Sequence, residues 1–209
     1  MSGGKDSFLA SIISMSQGVK LEYALSVLPE EESLMFHVPN IRHSHRVSSL
    51  LGLKTRYIKE GDFEEYLSGL RNDGIECVVS GAIASDYQKT KIEKLCTQHD
   101  LVSCTPLWRK KQETIMMEVM NSGIEAIIVS VSAEGLDTSF LGRVLNFDLL
   151  NRFRELIKRR EFNISGEGGE YETFVTGMRG YGNLSILKSK IHWSGSSGYL
   201  EILEIEETS

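Results

Sequence analysis

The sequence predicts an α/β fold: a doubly wound parallel sheet followed by a smaller α+β domain. Three observations carry this expectation. Apolar strands alternate with amphipathic helices through most of the chain, which implies right-handed crossovers. Two of the strands, in "IECVVSGAI" and "IEAIIVSVS", are continuous apolar runs of the kind buried on both faces of a parallel sheet. After about Gly135 the pattern gives way to one helix, Gly/Ser-rich turns and further strands. A boundary is expected near residues 133–140, dividing the chain into 1–134 and 135–209.

The elements follow in order. Residues 6–17 read as a helix with Phe8, Leu9, Ile12 and Ile13 recurring on one face. "VKLEYALSVLP" reads as a strand ended by Pro29, and "EEESLMFHVPN" as a polar loop. "IRHSHRVSSLLG" is a helix stopped at Gly52, and "KTRYIK" a short strand. In "DFEEYLSGLRNDG", Asp62 is placed to cap a helix whose Phe63, Tyr66, Leu67 and Leu70 fall on one side. The buried strand around Cys77 leads into the amphipathic helix "DYQKTKIEKLCTQHD". A short extended piece, the helix "QETIMMEVMNSG" and the second buried strand come next. "FDLLNRFRELIKRR" is the last helix, and strands are expected at "YETFVTG", "LSILKSKIHW" and "YLEILEIEE".

Composition narrows the function. The 209 residues are 41% hydrophobic and 25% charged, an ordinary globular balance able to bury a core without staples. With 23 basic and 29 acidic residues the net charge is -6, which argues against a nucleic-acid partner. Cys77, Cys96 and Cys104 are odd in number and lack CxxC spacing, so neither a disulfide framework nor a structural zinc is expected. The start lacks the apolar stretch of a signal peptide, and no apolar run reaches the length of a membrane span. No membrane partner is expected, and the cytoplasm is the expected location.

The opening, "MSGGKDS", has the makings of an anion cradle. Gly3 and Gly4 remove bulk so that backbone N–H groups can turn toward a phosphate. Ser2 and Ser7 add hydroxyls, Lys5 adds charge, and the following helix adds its unpaired N–H groups. Asp6 either caps that helix or holds a water on Mg²⁺. The spacing is not that of a Walker A loop. The shorter SGGxDS string resembles the PP-loop of ATP pyrophosphatases, which grips departing pyrophosphate while the substrate is adenylated.

Two further strings carry chemistry. In "GAIASDYQKTKIE", Gly81, Ser85 and Asp86 sit where a strand ends and a helix starts. Asp86 either caps the helix or orients Mg²⁺ or substrate, and Tyr87 and Gln88 fall in the first turn. In "ISGEGGEYETFV", Gly166, Gly168 and Gly169 surround Glu167 and Glu170, with Tyr171 and Glu172 opening the next strand. Such a turn lets carboxylates approach a ligand closely, binding ammonium or acting as general base. His37 and Asn40 in "FHVPN" fall on the nucleotide side of the expected sheet. Trp108 either packs at the domain junction or stacks on a base or substrate. His43, His45, His99 and His192 attract no functional reading.

The strings "SGGKDS", "MFHVPN", "SGAIASDYQKTKIE", "TPLW", "VSAEGLDTSFLGR" and "SGEGGEYETFV" together resemble the diphthine–ammonia ligase family of PP-loop ATP pyrophosphatases, in order and over nearly the whole chain. The resemblance implies a HUP-type nucleotide domain (1–134) and a substrate domain (135–209). It implies ATP-dependent amidation of diphthine on elongation factor 2, with ammonia as donor, an acyl-adenylate intermediate, and AMP and pyrophosphate as products. A compact chain of this kind looks archaeal. ATP would lie against Ser2, Gly3, Gly4, Lys5, Asp6, Ser7, His37, Asn40, Gly81 and Ser85, with Mg²⁺ at Asp6 and Asp86. Lys5, Asp86, Glu167, Glu170 and Glu172 would be catalytic. Tyr87, Gln88, Trp108, Gly166, Gly168, Gly169 and Tyr171 would meet the substrate. One departure is plain: a PP-loop hangs from a central parallel strand, and here only Met1 precedes Ser2. The chain starts late, another segment or a second chain fills the slot, or the nucleotide site is impaired; an incomplete sheet invites a homodimer. Other readings are a different adenylating amidase, an RNA-thiolating enzyme, and a nucleotide-binding module without catalysis.

Overall fold

The computed structural model describes residues 1–29, 40–158 and 162–208. The first part contains α1 (Lys5–Ser16), β1 (Ala24–Leu28), α2 (Ser44–Ser49), β2 (Thr55–Lys59), α3 (Phe63–Gly69), β3 (Cys77–Val79), α4 (Asp86–Gln98), β4 (Val102–Cys104) and α5 (Gln112–Asn121). β5 (Ile124–Val131), α6 (Phe147–Ile157), β6 (Tyr171–Met178), β7 (Gly182–Ser194) and β8 (Ser197–Thr208) complete it. The expected loop at 30–39, with His37, lies outside the described residues.

β1 pairs with β2 and β3 with β4, both parallel. Helices cover both faces of these strands, as a doubly wound sheet requires. Val27 and Val78 pack into a cluster with Phe63 and Leu67 of α3 and Ile92 and Leu95 of α4. Val79, one residue from Val78, packs into the other cluster, with Phe8 and Leu9 of α1, Val47 of α2 and Ile115 of α5. Neighbouring strand residues point to opposite faces, so a three-residue apolar run serves both.

The two parallel pairs form separate sheets. Ala24 N donates to Lys54 O, which turns Ala24 toward β2 and the backbone of Tyr23, Leu25 and Val27 the other way. Val102 N donates to Glu76 O and Ser80 N to Cys104 O, which turns Ile75, Cys77 and Val79 away from β4. All six residues line one cavity of about 1000 Å³. The gap falls where the expected first strand would lie. At its end the Met1 amino group donates to Leu25 O, and burial pushes that amine down to about 5.

Two expectations change. The run "IEAIIVSV" was expected in the parallel sheet, but β5 pairs antiparallel with β6 and β8, and β5–β8 close into a barrel. Its Ala126, Ile128, Val129 and Val131 are buried, so the apolar pattern was right about burial. Burial on both faces says nothing about the direction of the neighbouring strand. Asp62 was expected to cap α3, but its side chain makes no cap bond, because a 3₁₀ turn over Glu60–Asp62 enters the helix. At α6 the cap is Asn146, whose Oδ1 accepts from Leu149 N at 2.9 Å, and Leu149, Leu150 and Phe153 face the core.

Each unpaired backbone group at the two edges carries a desolvation cost that a strand between them would remove. Fusing a five-residue apolar, β-branched segment ahead of Met1 is therefore expected to raise Tm by about 5 °C, equivalent to roughly 2 kcal/mol for a chain of this size. Thermal denaturation followed by circular dichroism checks this; an unchanged Tm would show that the segment does not enter the gap.

Candidate active site

The opening loop is shaped by contacts with the barrel. Gly3 takes a left-handed φ of 90°, and its carbonyl accepts from Val175 N of β6 at 2.9 Å. A Cβ on Gly4 would lie 3.2 Å from Thr173 O, so the loop sits close against β6. Lys5 N donates to Thr173 Oγ1 at 3.0 Å. The Ser2 and Ser7 hydroxyls lie 3.3 Å apart, and both residues line the cavity with Asp6. Gly81, just past β3, also lines it and has a packing reason to be glycine: a Cβ there would lie 2.7 Å from Ser7 N.

The acid turn reaches the same cavity from the other side. Gly166, Glu167, Gly168, Gly169 and Glu172 all line it. Gly166 has φ 76° and faces the Tyr171 carbonyl, which would be 2.7 Å from any added Cβ. Glu167 Oε1 accepts from Ala84 N and Ser85 N, both at 2.9 Å, just ahead of α4. This carboxylate thus answers the unpaired donors and the positive end of that helix. Three strings far apart in sequence meet at one cavity.

Their charges oppose one another. Burial pushes the Glu172 carboxyl up to about 7; Asp6 and Glu167 add to the rise and Lys5 opposes it. Burial also raises Glu167, against the two amide hydrogen bonds that lower it. Asp6 gives Oδ2 to the Lys5 ammonium at 3.0 Å, while its Oδ1 is buried without a hydrogen-bond partner. An orphan carboxylate oxygen beside this cavity suits Mg²⁺, which takes one or two carboxylates and completes its shell with phosphate oxygens and water. Among the described residues no cluster of three His, Cys, Asp or Glu forms a protein-only metal cage.

Several expected site residues point elsewhere. The Lys5 side chain is buried and leaves the cavity wall; its ammonium donates to Ser165 O as well as to Asp6. Asp86 is exposed, lies outside the cavity lining and pairs with Arg109 at 3.5 Å. Glu170 accepts from Asn163 N, Asn163 Nδ2 and Gly168 N at 2.6–2.9 Å, holding its own turn together. Tyr171 is a core residue, not a substrate contact: its hydroxyl donates to Ile164 O at 2.7 Å and its ring stacks on Phe153. Asn40 spends its side chain on the fold. Its amide donates to Leu200 O and accepts from Ile202 N, stapling the turn before α2 to β8. Trp108 lies beneath Lys89 and Arg109, and Tyr87 is exposed. Gln88 is in the first turn of α4.

Thr173, Ser165 and Val175 escaped the sequence reading, although they orient the opening loop. Their signal was faint: a hydroxyl residue in a strand and a serine before a glycine turn are common, and their partners lie more than 150 residues away.

Comparison with known proteins adds a second line. A model of the diphthamide synthase N-terminal domain matches residues 1–103, and one of the diphthamide synthase C-terminal domain matches residues 111–207. A diphthine–ammonia ligase of Rattus norvegicus is 32% identical over 204 residues, covering 84% of this chain and 76% of that protein. One from Homo sapiens is 38% identical over 122 residues, covering 56% of this chain and 45% of the relative. One from Saccharomyces cerevisiae is 28% identical over 254 residues, covering 100% of this chain and 35% of its own length.

The raised Glu172 carboxyl has a signed consequence for stability. Its folded value of about 7 exceeds the ordinary 4.5, so the folded state holds the proton more tightly. That contribution is present below pH 4.5 and is lost as pH rises through 7. Glu172→Gln keeps the shape without the charge. It is expected to match the parent near pH 4.5 and to be more stable at pH 8, by on the order of 2–3 kcal/mol. Urea denaturation at the two pH values checks this; equal differences at both would mean that the carboxyl is not desolvated.

Proposed function

Because the chain belongs to the diphthamide synthase family, we propose that it is a carbon–nitrogen ligase that amidates diphthine on elongation factor 2, using ATP and ammonia. The observation that carries this reading is the meeting of the opening loop, the α4 junction and the acid turn around one cavity of about 1000 Å³.

The chemistry follows from what each wall offers. A carboxylate resists ammonia because its leaving group would be oxide. Attack by a carboxylate oxygen on the α-phosphorus of ATP expels pyrophosphate and leaves an acyl-adenylate. Ammonia then adds to the acyl carbon, AMP departs, and a proton is lost from nitrogen. The Ser2 and Ser7 hydroxyls, at the positive end of α1, suit the pyrophosphate end. Asp6 would hold Mg²⁺, which when bound neutralises phosphate charge. Glu172, titrating at about 7 on the same wall, is matched to take the proton from the attacking nitrogen near neutral pH. An acidic wall also attracts ammonium.

A thiolating reading needs a thiolate at the site. Cys77 lines the cavity, but burial and the neighbouring Cys104 push its thiol up to about 11, and Cys96 is likewise raised to about 11 by burial. Neither supplies a nucleophile at neutral pH.

The test is pyrophosphate release with Mg·ATP, ammonium and diphthine-bearing elongation factor 2. Release beyond a single turnover is expected only when both co-substrates are present, with the small mass decrease at the modified histidine that marks a carboxyl converted to an amide. Nucleotide binding without release would make the chain a binding module, and sustained turnover without ammonium would point to a different nucleophile.

A further inference from the structure

Lys5 carries the charge of the opening loop, yet it faces away from the cavity that the loop surrounds. Its side chain is 3% exposed, whereas the next two residues, Asp6 and Ser7, line the cavity. The ammonium has three hydrogens. One goes to Asp6 Oδ2 and one to Ser165 O, at the base of the acid turn. The Tyr171 ring covers it at 5.3 Å from the centroid. The backbone N–H of the same residue is tied to Thr173 Oγ1 of β6. Reaching a phosphate would strip a buried ammonium of these partners and leave the Ser165 carbonyl unpaired, an expensive exchange in a dry site.

The charged groups acting on Glu172 are Lys5 and Asp6 from α1 and Glu167 from the acid turn. Lys5 is the one cation of the three. We propose that Lys5 is a positioning residue: its buried ammonium bolts the opening loop to the acid turn that leads into Glu172, and it does not contact the nucleotide. Its place in the reaction rests on the ligase reading, but the bolt and its effect on Glu172 are measurable without turnover.

The experiment uses the full chain with ¹³C-labelled glutamate carboxyls and ¹⁵N-labelled lysine, followed by NMR. In Lys5→Met the Glu172 midpoint is expected to rise by about one pH unit. Lys5→Arg, which keeps the charge, is expected to hold the midpoint near its parent value. In the parent protein the Lys5 ammonium is expected to keep its hydrogen-bond coupling to the Ser165 carbonyl on addition of Mg·ATP. An unmoved midpoint in Lys5→Met, or loss of that coupling with Mg·ATP, overturns the proposal; should Lys5→Met fail to fold, the coupling alone decides. Should ammonia-dependent pyrophosphate release be absent, the ligase reading falls while the midpoint still judges Lys5.

Discussion

The structure turns on a buried ammonium. Lys5 stands at the start of α1, yet its partners are Ser165 and the Tyr171 ring in the barrel half, and its own amide is tied to Thr173. A lysine is seldom wholly buried, and it stays charged there only if its hydrogens are satisfied. Gly3 accepts from Val175 in the same place, so the opening loop is fastened to β6 by backbone as well as side chain. The N-terminal loop is therefore conformationally part of the C-terminal barrel. Its shape depends on a strand that the chain reaches only after most of its length.

That fastening sets the electrostatics of the cavity. Docking the loop brings Asp6 toward Glu167 and Glu172, which the acid turn presents from the other side. Three carboxylates then share a partly dry wall with one buried cation, and their mutual repulsion is relieved in different ways. Glu167 leans on two amides at the head of α4, Asp6 on Lys5, and Glu172 by holding its proton up to about pH 7. A single turn thus gives neighbouring acids different tasks. Glu170, three residues from Glu167, is spent inside the turn on Asn163 and Gly168.

The gap between the two parallel pairs belongs to the same cavity, which joins the strand edges to the loop. An aligned sheet would normally stiffen such a loop from behind. Here the stiffness comes from in front, through β6, and from Gly81, whose missing side chain lets the end of β3 press on the first turn of α1. The Met1 amine and Ser26 hydroxyl add a small local anchorage to β1.

Much was legible in the residues themselves. Periodicity located α1, α4, α5 and α6, and glycine beside acid marked both the opening loop and the turn at 166–172 as unusual. These are local properties: a helix face or a glycine's freedom is decided within a few residues. Direction and partnership were not legible. Apolar continuity marked β5 as buried but could not tell a parallel neighbour from the antiparallel β6 it has. Charge marked Lys5 and Glu170 as reactive, while the structure spends one on a carbonyl 160 residues away and the other on its own turn. Sequence alone determined which segments are helix or strand and which short strings are chemically exceptional. Only the tertiary structure decided which acid faces the cavity and which cation serves it, because hydrogen-bond partners and desolvation are set by groups distant in the chain.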